Sequence, residues 1–345
     1  MVDITIRGAG IFGLSIAWAC VQRGARVRLV DPFGPGAGAS GGIVGALAPH
    51  VPENWNAKKA FQLESLLSAQ HFWQEVEAAG GVTSGYGRTG RLQPIADDAG
   101  LALARQRQLG AKELWQGRAT WQVRPSYDFD AWCPPSASGH VIHDSLSARL
   151  HPRRACAALV AALRTRDVEI THEAEDAGAI IHASGSHGLA QLNHDFGKQI
   201  GAPIKGQAAL LQHDAGINAP QIFAETLHII PHADGTTAIG STSERLFDDA
   251  SSTDDQLDAL IERAKSIMPL LKDAQVIKRW AGLRPRSRSR APMLGAHPIR
   301  PGHFIANGGF KIGFGMAPKI AEVMADLVLD QKDTIPDDFR VAASL

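Results

Sequence analysis

Apolar and polar positions alternate with two different periods along the first thirty-one residues. Ile4-Thr5-Ile6 reads as a short strand, residues 14–23 as a helix closed by Gly24, and Val27-Arg28-Leu29-Val30 as a second strand that delivers Asp31. Between the first strand and the helix stands Gly8-Ala9-Gly10-Ile11-Phe12-Gly13. Further on, Leu63, Leu66, Leu67, Trp73 and Val76 recur at helical spacing and predict a helix over 58–77. From 80 to 138 the pattern breaks into short segments separated by turns, with Trp115, Trp121, Tyr127 and Trp132 among them, which predicts a strand-rich module. A helix is expected over 152–166, with Pro152 in its first turn, then strands at 168–170 and 179–183. Short alternating strands recur over 208–242, among them His228-Ile229-Ile230-Pro231. A polar helix over 254–268 follows, and after Phe304-Ile305-Ala306 and Gly308-Gly309 a last helix runs from 318 to about 329.

These elements predict an α/β protein in which a Rossmann-type nucleotide domain is interrupted by a mostly antiparallel sheet. The expected pieces are 1–80, 140–200 and 295–345 for the first, and 81–139 and 201–294 for the second. The glycine turn supplies the chemistry of the first piece. Strand, G-x-G-x-x-G turn, helix, strand and acid together form the context in which that motif cradles a dinucleotide. Gly8 permits the tight turn, Gly10 lets backbone approach a pyrophosphate, and Gly13 lets helix and strand pack closely. The helix N-terminus offers unpaired N–H groups to the phosphates. Asp31, eighteen residues past Gly13, stands where a carboxylate meets a ribose hydroxyl.

Composition narrows the picture by exclusion. Across 345 residues, 35 Lys and Arg balance 35 Asp and Glu, so no global field favours nucleic acid or an anionic membrane. Cys20, Cys133 and Cys156 are too far apart for a C-x-x-C metal or redox motif, and sparse thiols suit a cytoplasmic protein. No leader and no membrane-length apolar run are expected, and no metal site.

On further motifs the chain resembles the D-amino-acid oxidase family of flavoproteins, with its glycine oxidases and sarcosine oxidases. The likeness rests on the glycine turn with Asp31, on Gly38-Ala39-Ser40-Gly41-Gly42, Ala183-Ser184-Gly185 and Lys205-Gly206-Gln207. It continues through Trp280-Ala281-Gly282-Leu283-Arg284-Pro285 and Asn307-Gly308-Gly309-Phe310-Lys311, and so runs essentially end to end. The resemblance implies FAD held by Gly8, Gly10, Ile11, Phe12, Gly13 and Asp31, by the second loop Ala39, Ser40, Gly41 and Gly42, and by Ala183 and Gly185. It also implies contact near the flavin pyrimidine from Gly308, Gly309, Phe310, Lys311 and Ile312. Asp31 is one methylene shorter than the Glu frequent in the family. The cysteine that tethers FAD in sarcosine oxidases has no counterpart between Trp280 and Leu294, so the FAD is expected to be non-covalent.

By the same resemblance Arg284 is the substrate-carboxylate arginine, and guanidinium geometry suits a bidentate grip. Lys311 matches a lysine that helps hold the same carboxylate. The expected activity is oxidation of the C–N bond of a small amino acid or N-substituted amino acid, with hydride passing to flavin and O2 or another carrier accepting the electrons. Two alternatives stay open. The chain is also similar to the FAD domain of the bifunctional wobble-uridine tRNA-modification enzyme, and Lys278, Arg279, Arg284, Arg286, Arg288 and Arg290 form a basic run that could meet RNA. A non-catalytic flavin-binding subunit is the third reading.

Overall fold

The computed structural model describes residues 2–345 and is built around two large sheets. With strands and helices numbered in chain order, the first sheet runs Met293–Ala296 (β15), His303–Asn307 (β16), Ala179–His182 (β9), Ile4–Arg7 (β1), Val27–Val30 (β2), Glu169–Thr171 (β8). Every neighbouring pair in it is parallel except β15–β16. One face carries Ile4, Ile6, Leu29 and Ile181 against the helices Ile11–Gln22 (α1), Ala57–Gly80 (α2), Pro152–Arg164 (α4) and Gly313–Asp330 (α7), and this is the larger core. α1 is buried almost all round, which is why its apolar residues show so little one-sidedness. The other face receives Gly185–Asp195 (α5) through Leu189 and Leu192.

The second sheet runs Gln275–Ser287 (β14), Gly201–Gln212 (β10), Thr237–Gly240 (β13), Leu227–Pro231 (β12), Gln221–Ala224 (β11), Arg91–Pro94 (β4), His140–Asp144 (β6), Trp121–Pro125 (β5). Its pairs are antiparallel except β11–β4. Asp255–Ile267 (α6) covers one side with Leu257, Leu260, Ile261 and Ala264, and its N-cap is Asp254. Ala46–Leu47 (β3) and Ala148–Arg149 (β7) form a two-stranded link between the sheets.

Three expectations need correction. The segment predicted as strand-rich over 80–138 contains a long helix, Asp98–Leu114 (α3), of which only Ala104 and Ala111 are buried. Two alanines are too small a stripe for periodicity to reveal, whereas the N-cap Asp97, accepting from the Gly100 amide, was readable. The expected change of sheet at 140 falls one strand early, because β6 pairs with β4 and β5, and Met293 and Leu294 already lie in the first sheet. The last helix begins at Gly313, with Pro318 inside it. Since proline removes one i→i−4 bond near the helix start, the interruption is local and the helix continues.

No helix among the described residues is long and apolar enough to cross a membrane.

Candidate active and cofactor site

A cavity of about 1350 Å³ runs from the carboxyl ends of β1, β2 and β9 to the second sheet. It exceeds the ordinary volume of a drug-sized pocket and suits an elongated ligand. Its nucleotide end is set by the glycine turn. Gly8 has φ +111°, and a Cβ there would lie 2.4 Å from the Ala183 carbonyl oxygen. A Cβ on Gly13 would meet the Gly8 carbonyl oxygen at 1.8 Å, so Gly13 locks α1 against the turn without itself lining the cavity. Gly10 differs: its added Cβ would meet only Ser40 Oγ at 3.2 Å and otherwise project into open space. That open cradle at the start of α1 is what a pyrophosphate needs.

Asp31 lines the cavity and also holds the turn, accepting from the Ala9 amide at 2.8 Å and the Phe33 amide at 3.0 Å. A carboxylate has about four acceptor positions, so two remain for ribose hydroxyls. In the second loop Ala39, Ser40 and Gly42 line the cavity, and Ser40 Oγ accepts from the Ile11 amide at 2.9 Å. Gly41 is set back, where its Cβ would meet the Gly36 carbonyl oxygen at 2.4 Å. Ile11, Phe12, Ala183 and Gly185 all face the cavity.

At the other end the turn before α7 closes onto the first. Gly308, with φ +82°, shapes that turn from behind the cavity wall. A Cβ on Gly309 would meet the Phe12 ring at 2.7 Å. Gly309, Phe310, Lys311 and Ile312 line the cavity together with Gly313, Phe314 and Gly315 of the first turn of α7, so two helix N-termini address the same space.

Around the Phe310 ring gather three cations. The Arg284 and Arg286 guanidinium carbons lie 5.4 Å from its centroid, and Lys311 Nζ 5.8 Å. Lys311 projects into the cavity, and enclosure by protein, then Arg284 and Arg286, push its ammonium down to about 8. Neither Lys311 nor Arg286 has an acidic partner among the described residues. Arg284 is buried, and burial pushes it down to about 10 against the opposing pull of Glu244. Its Nη1 donates to Ser241 Oγ at 2.6 Å, and its Nη2 to the carbonyl oxygens of Thr242 at 2.6 Å and Lys205 at 3.3 Å. Both Nη2 protons are thus committed to protein. Nε is buried with no partner, and one Nη1 proton is left. A two-pronged grip through Nη2, expected from the sequence, would need these bonds to rearrange.

Several residues at the site were assigned no role from the sequence. Trp280 lies over Gly42 and Gly282, where added Cβ atoms would come within 3.5 and 2.5 Å of its ring. His228 on β12 faces the cavity beside Phe223, and burial, then Arg91 and Lys311, push it down to about 3, so it is a neutral imidazole at ordinary pH. At the nucleotide end His187 stacks on Phe33 at 4.7 Å, and His182 bonds His303 across 2.9 Å. Only the alternation of β12, which puts His228 on the same side as Ile230, could have flagged His228. The basic run is divided by the fold: Arg279 pairs with Asp258, Arg284 turns inward, and Arg288 reaches the Leu345 carbonyl.

Comparison with known proteins agrees with this geometry. A family model described as "DAO: FAD dependent oxidoreductase" matches residues 3–327. A glycine oxidase of Geobacillus kaustophilus is 26% identical over 362 residues, covering 97% of this chain and 94% of that protein. A bifunctional protein ThiO/ThiG of Synechocystis sp. is 27% identical over 96% of the chain, which spans only 52% of that relative's length. Among solved structures, glycine oxidase from Geobacillus kaustophilus superposes with a TM-score of 0.85 at 20% identity, covering 98% of both chains. Iminodiacetate oxidase from Chelativorans sp. BNC1 gives a TM-score of 0.85 at 22% identity, again over 98% of both. At such identities these superpositions speak for the fold.

Proposed function

Since the chain belongs to the DAO family of FAD-dependent oxidoreductases, we propose that it oxidises the C–N bond of a small amino acid or N-substituted amino acid, and that the cations around Phe310 hold the substrate carboxylate. The observation that carries this reading is the cavity itself, with a glycine cradle at one end and the cavity-facing Arg284 and Lys311 at the other. FAD is the cofactor of the family, and when bound it supplies the hydride acceptor and stores the electron pair until an acceptor, O2 or another carrier, removes it. Gly8, Gly10 and the α1 N-terminus would hold its pyrophosphate, Asp31 its ribose, and the 39–42 loop and the 309–312 turn the remainder.

The chain's own part is placement. Lys311 offers a charge without a competing acid, and the remaining Nη1 proton of Arg284 offers a donor beside it. Fixing a carboxylate fixes the Cα–H next to it, which is the orientational gain such a site provides. Neutral His228 adds no charge that would compete for the carboxylate. The relative named glycine oxidase and the structural neighbour named iminodiacetate oxidase point to amino acids as the substrate class.

The test is anaerobic bleaching of the bound flavin by a panel of glycine, sarcosine, proline, D-amino acids and simple amines without a carboxylate. Bleaching by amino acids and not by the simple amines is expected. Bleaching by none of them would overturn the reading.

A further inference from the structure

A buried polar network lies behind Arg284 and belongs to none of the contacts assigned above. Gln207, fully buried on β10, makes five hydrogen bonds to a single segment, residues 242–254. Its backbone N–H donates to Thr242 Oγ1 at 2.8 Å, and its carbonyl accepts from the Thr242 amide at 3.1 Å. Its side-chain nitrogen donates to Glu244 at 3.1 Å and Asp254 at 2.8 Å, while its side-chain oxygen accepts from the Asp254 amide at 2.9 Å. Lys205, buried on the same strand, exchanges backbone bonds with Glu244 and places its ammonium 3.7 Å from both Glu244 and Asp254. The Thr242 hydroxyl also donates to the Glu244 carboxylate. Every side-chain hydrogen-bonding position of the Gln207 amide except one acceptor lone pair is therefore used on this segment.

That segment, with Ser241 just before it and Lys205 on the latched strand, is what holds Arg284. Ser241 Oγ and the Thr242 carbonyl take two of its guanidinium bonds, and the Lys205 carbonyl takes the third. The same segment brings Ala250 and Ser251 to the cavity wall. A fully satisfied buried network fixes one arrangement of the backbone it joins, whereas a partly satisfied one does not. Gly206 completes the device: it leaves room for the guanidinium, which lies where a Cβ would be.

We propose that Gln207 is a positioning residue for amino-acid oxidation: it latches residues 242–254 to β10 and so fixes the direction in which Arg284 presents its remaining Nη1 proton to a substrate carboxylate. This rests on the carboxylate-binding role of Arg284 argued above. Gln207 touches neither the cavity nor, by its place behind the strand, any ligand in it.

The experiment uses the FAD-loaded full chain. Binding of glycolate, which carries the carboxylate but no amine, is followed by perturbation of flavin absorbance, with acetamide as the uncharged comparison. Gln207→Met is expected to raise the Kd for glycolate about ten- to a hundredfold and to raise KM far more than it lowers kcat, with acetamide binding changed less than about twofold. In an Arg284→Met background the same substitution should change glycolate binding by less than about twofold, because the residue acts through Arg284. Equal loss of glycolate and acetamide binding, or full additivity with Arg284→Met, would overturn the proposal. Should Gln207→Met not fold, Glu244→Gln removes the charge while keeping an amide oxygen for Thr242, and the same non-additivity with Arg284→Met is required of it. A wild-type flavin bleached by no amino acid overturns the site reading together with this one. Bleaching with additive variants overturns this one alone.

Discussion

Substituting Gly206 by Ala displaces Arg284 without altering it. Gly206 is not in the left-handed region, so its backbone accepts a side chain. An ideal Cβ would lie 2.2 Å from Nη2 and 2.4 Å from Cζ of Arg284. Ordinary contact is about 3.5 Å, so the guanidinium must move by more than about 1 Å. The 2.6 Å bonds to Ser241 and Thr242 cannot survive such a shift unchanged. Bonds to a charged group are worth about 1.5–3 kcal/mol each, but alternative acceptors recover part, so a stability loss of about 2–4 kcal/mol is expected by urea unfolding. Loss of one substrate contact of the same kind lowers kcat/KM roughly ten- to a hundredfold. FAD content should stay stoichiometric, because no cofactor-facing residue of the glycine turn is near the new methyl group. Amines without a carboxylate should be turned over as poorly as by wild type. A Gly206→Ala protein with wild-type kcat/KM for its best amino acid would refute the argument, as would one that loses FAD while Arg284→Met keeps it.

Three further outcomes follow from the same geometry. FAD should be released by acid precipitation, since no cysteine lines the cavity and burial pushes the Cys20 and Cys156 thiols up to about 12; yellow polypeptide after precipitation would contradict this. Lys311 is charged below about 8, so kcat/KM should fall, relative to Lys311→Met, as pH rises through that value; identical pH profiles for the two proteins would remove Lys311 from carboxylate binding. His232, which bonds the Ile43 carbonyl, is pushed down to about 4 by burial and then by His151. Its folded value lies below the unfolded one near 6.5, so stability is lost as pH falls from about 6.5 toward 4, by up to about 3 kcal/mol. His232→Gln should flatten that part of the pH–stability curve measured by urea midpoints, and an unchanged slope would place the acid sensitivity elsewhere.

The glycine turn was legible because its chemistry is local. Gly8 needs a positive φ and Gly13 must clear the Gly8 carbonyl five residues before it, so a short string of letters fixes the strand–turn–helix geometry, although the Ala183 and Ser40 atoms that also face Gly8 and Gly10 come from distant parts of the chain. The same holds for Asp31, at the end of the adjacent parallel strand. The two-sheet plan was legible through periodicity wherever large apolar side chains mark a face. It failed at α3, whose buried face is two alanines, and at β6, whose partners lie in other parts of the chain.

What only the tertiary structure decided is the state of the groups that meet substrate. Arg284 and Arg286 lie more than twenty residues from Phe310 and Lys311 in sequence, and their arrival there depends on the bridge between residues 286 and 309 that joins β14 to the turn before α7. The commitment of Arg284 to Ser241 and Thr242 comes from a segment more than forty residues away. Sequence determined which charges are available. Their number of free donors, their proton affinity and the neutrality of His228 depend on how much protein encloses them, and enclosure is a property of the packed sheets.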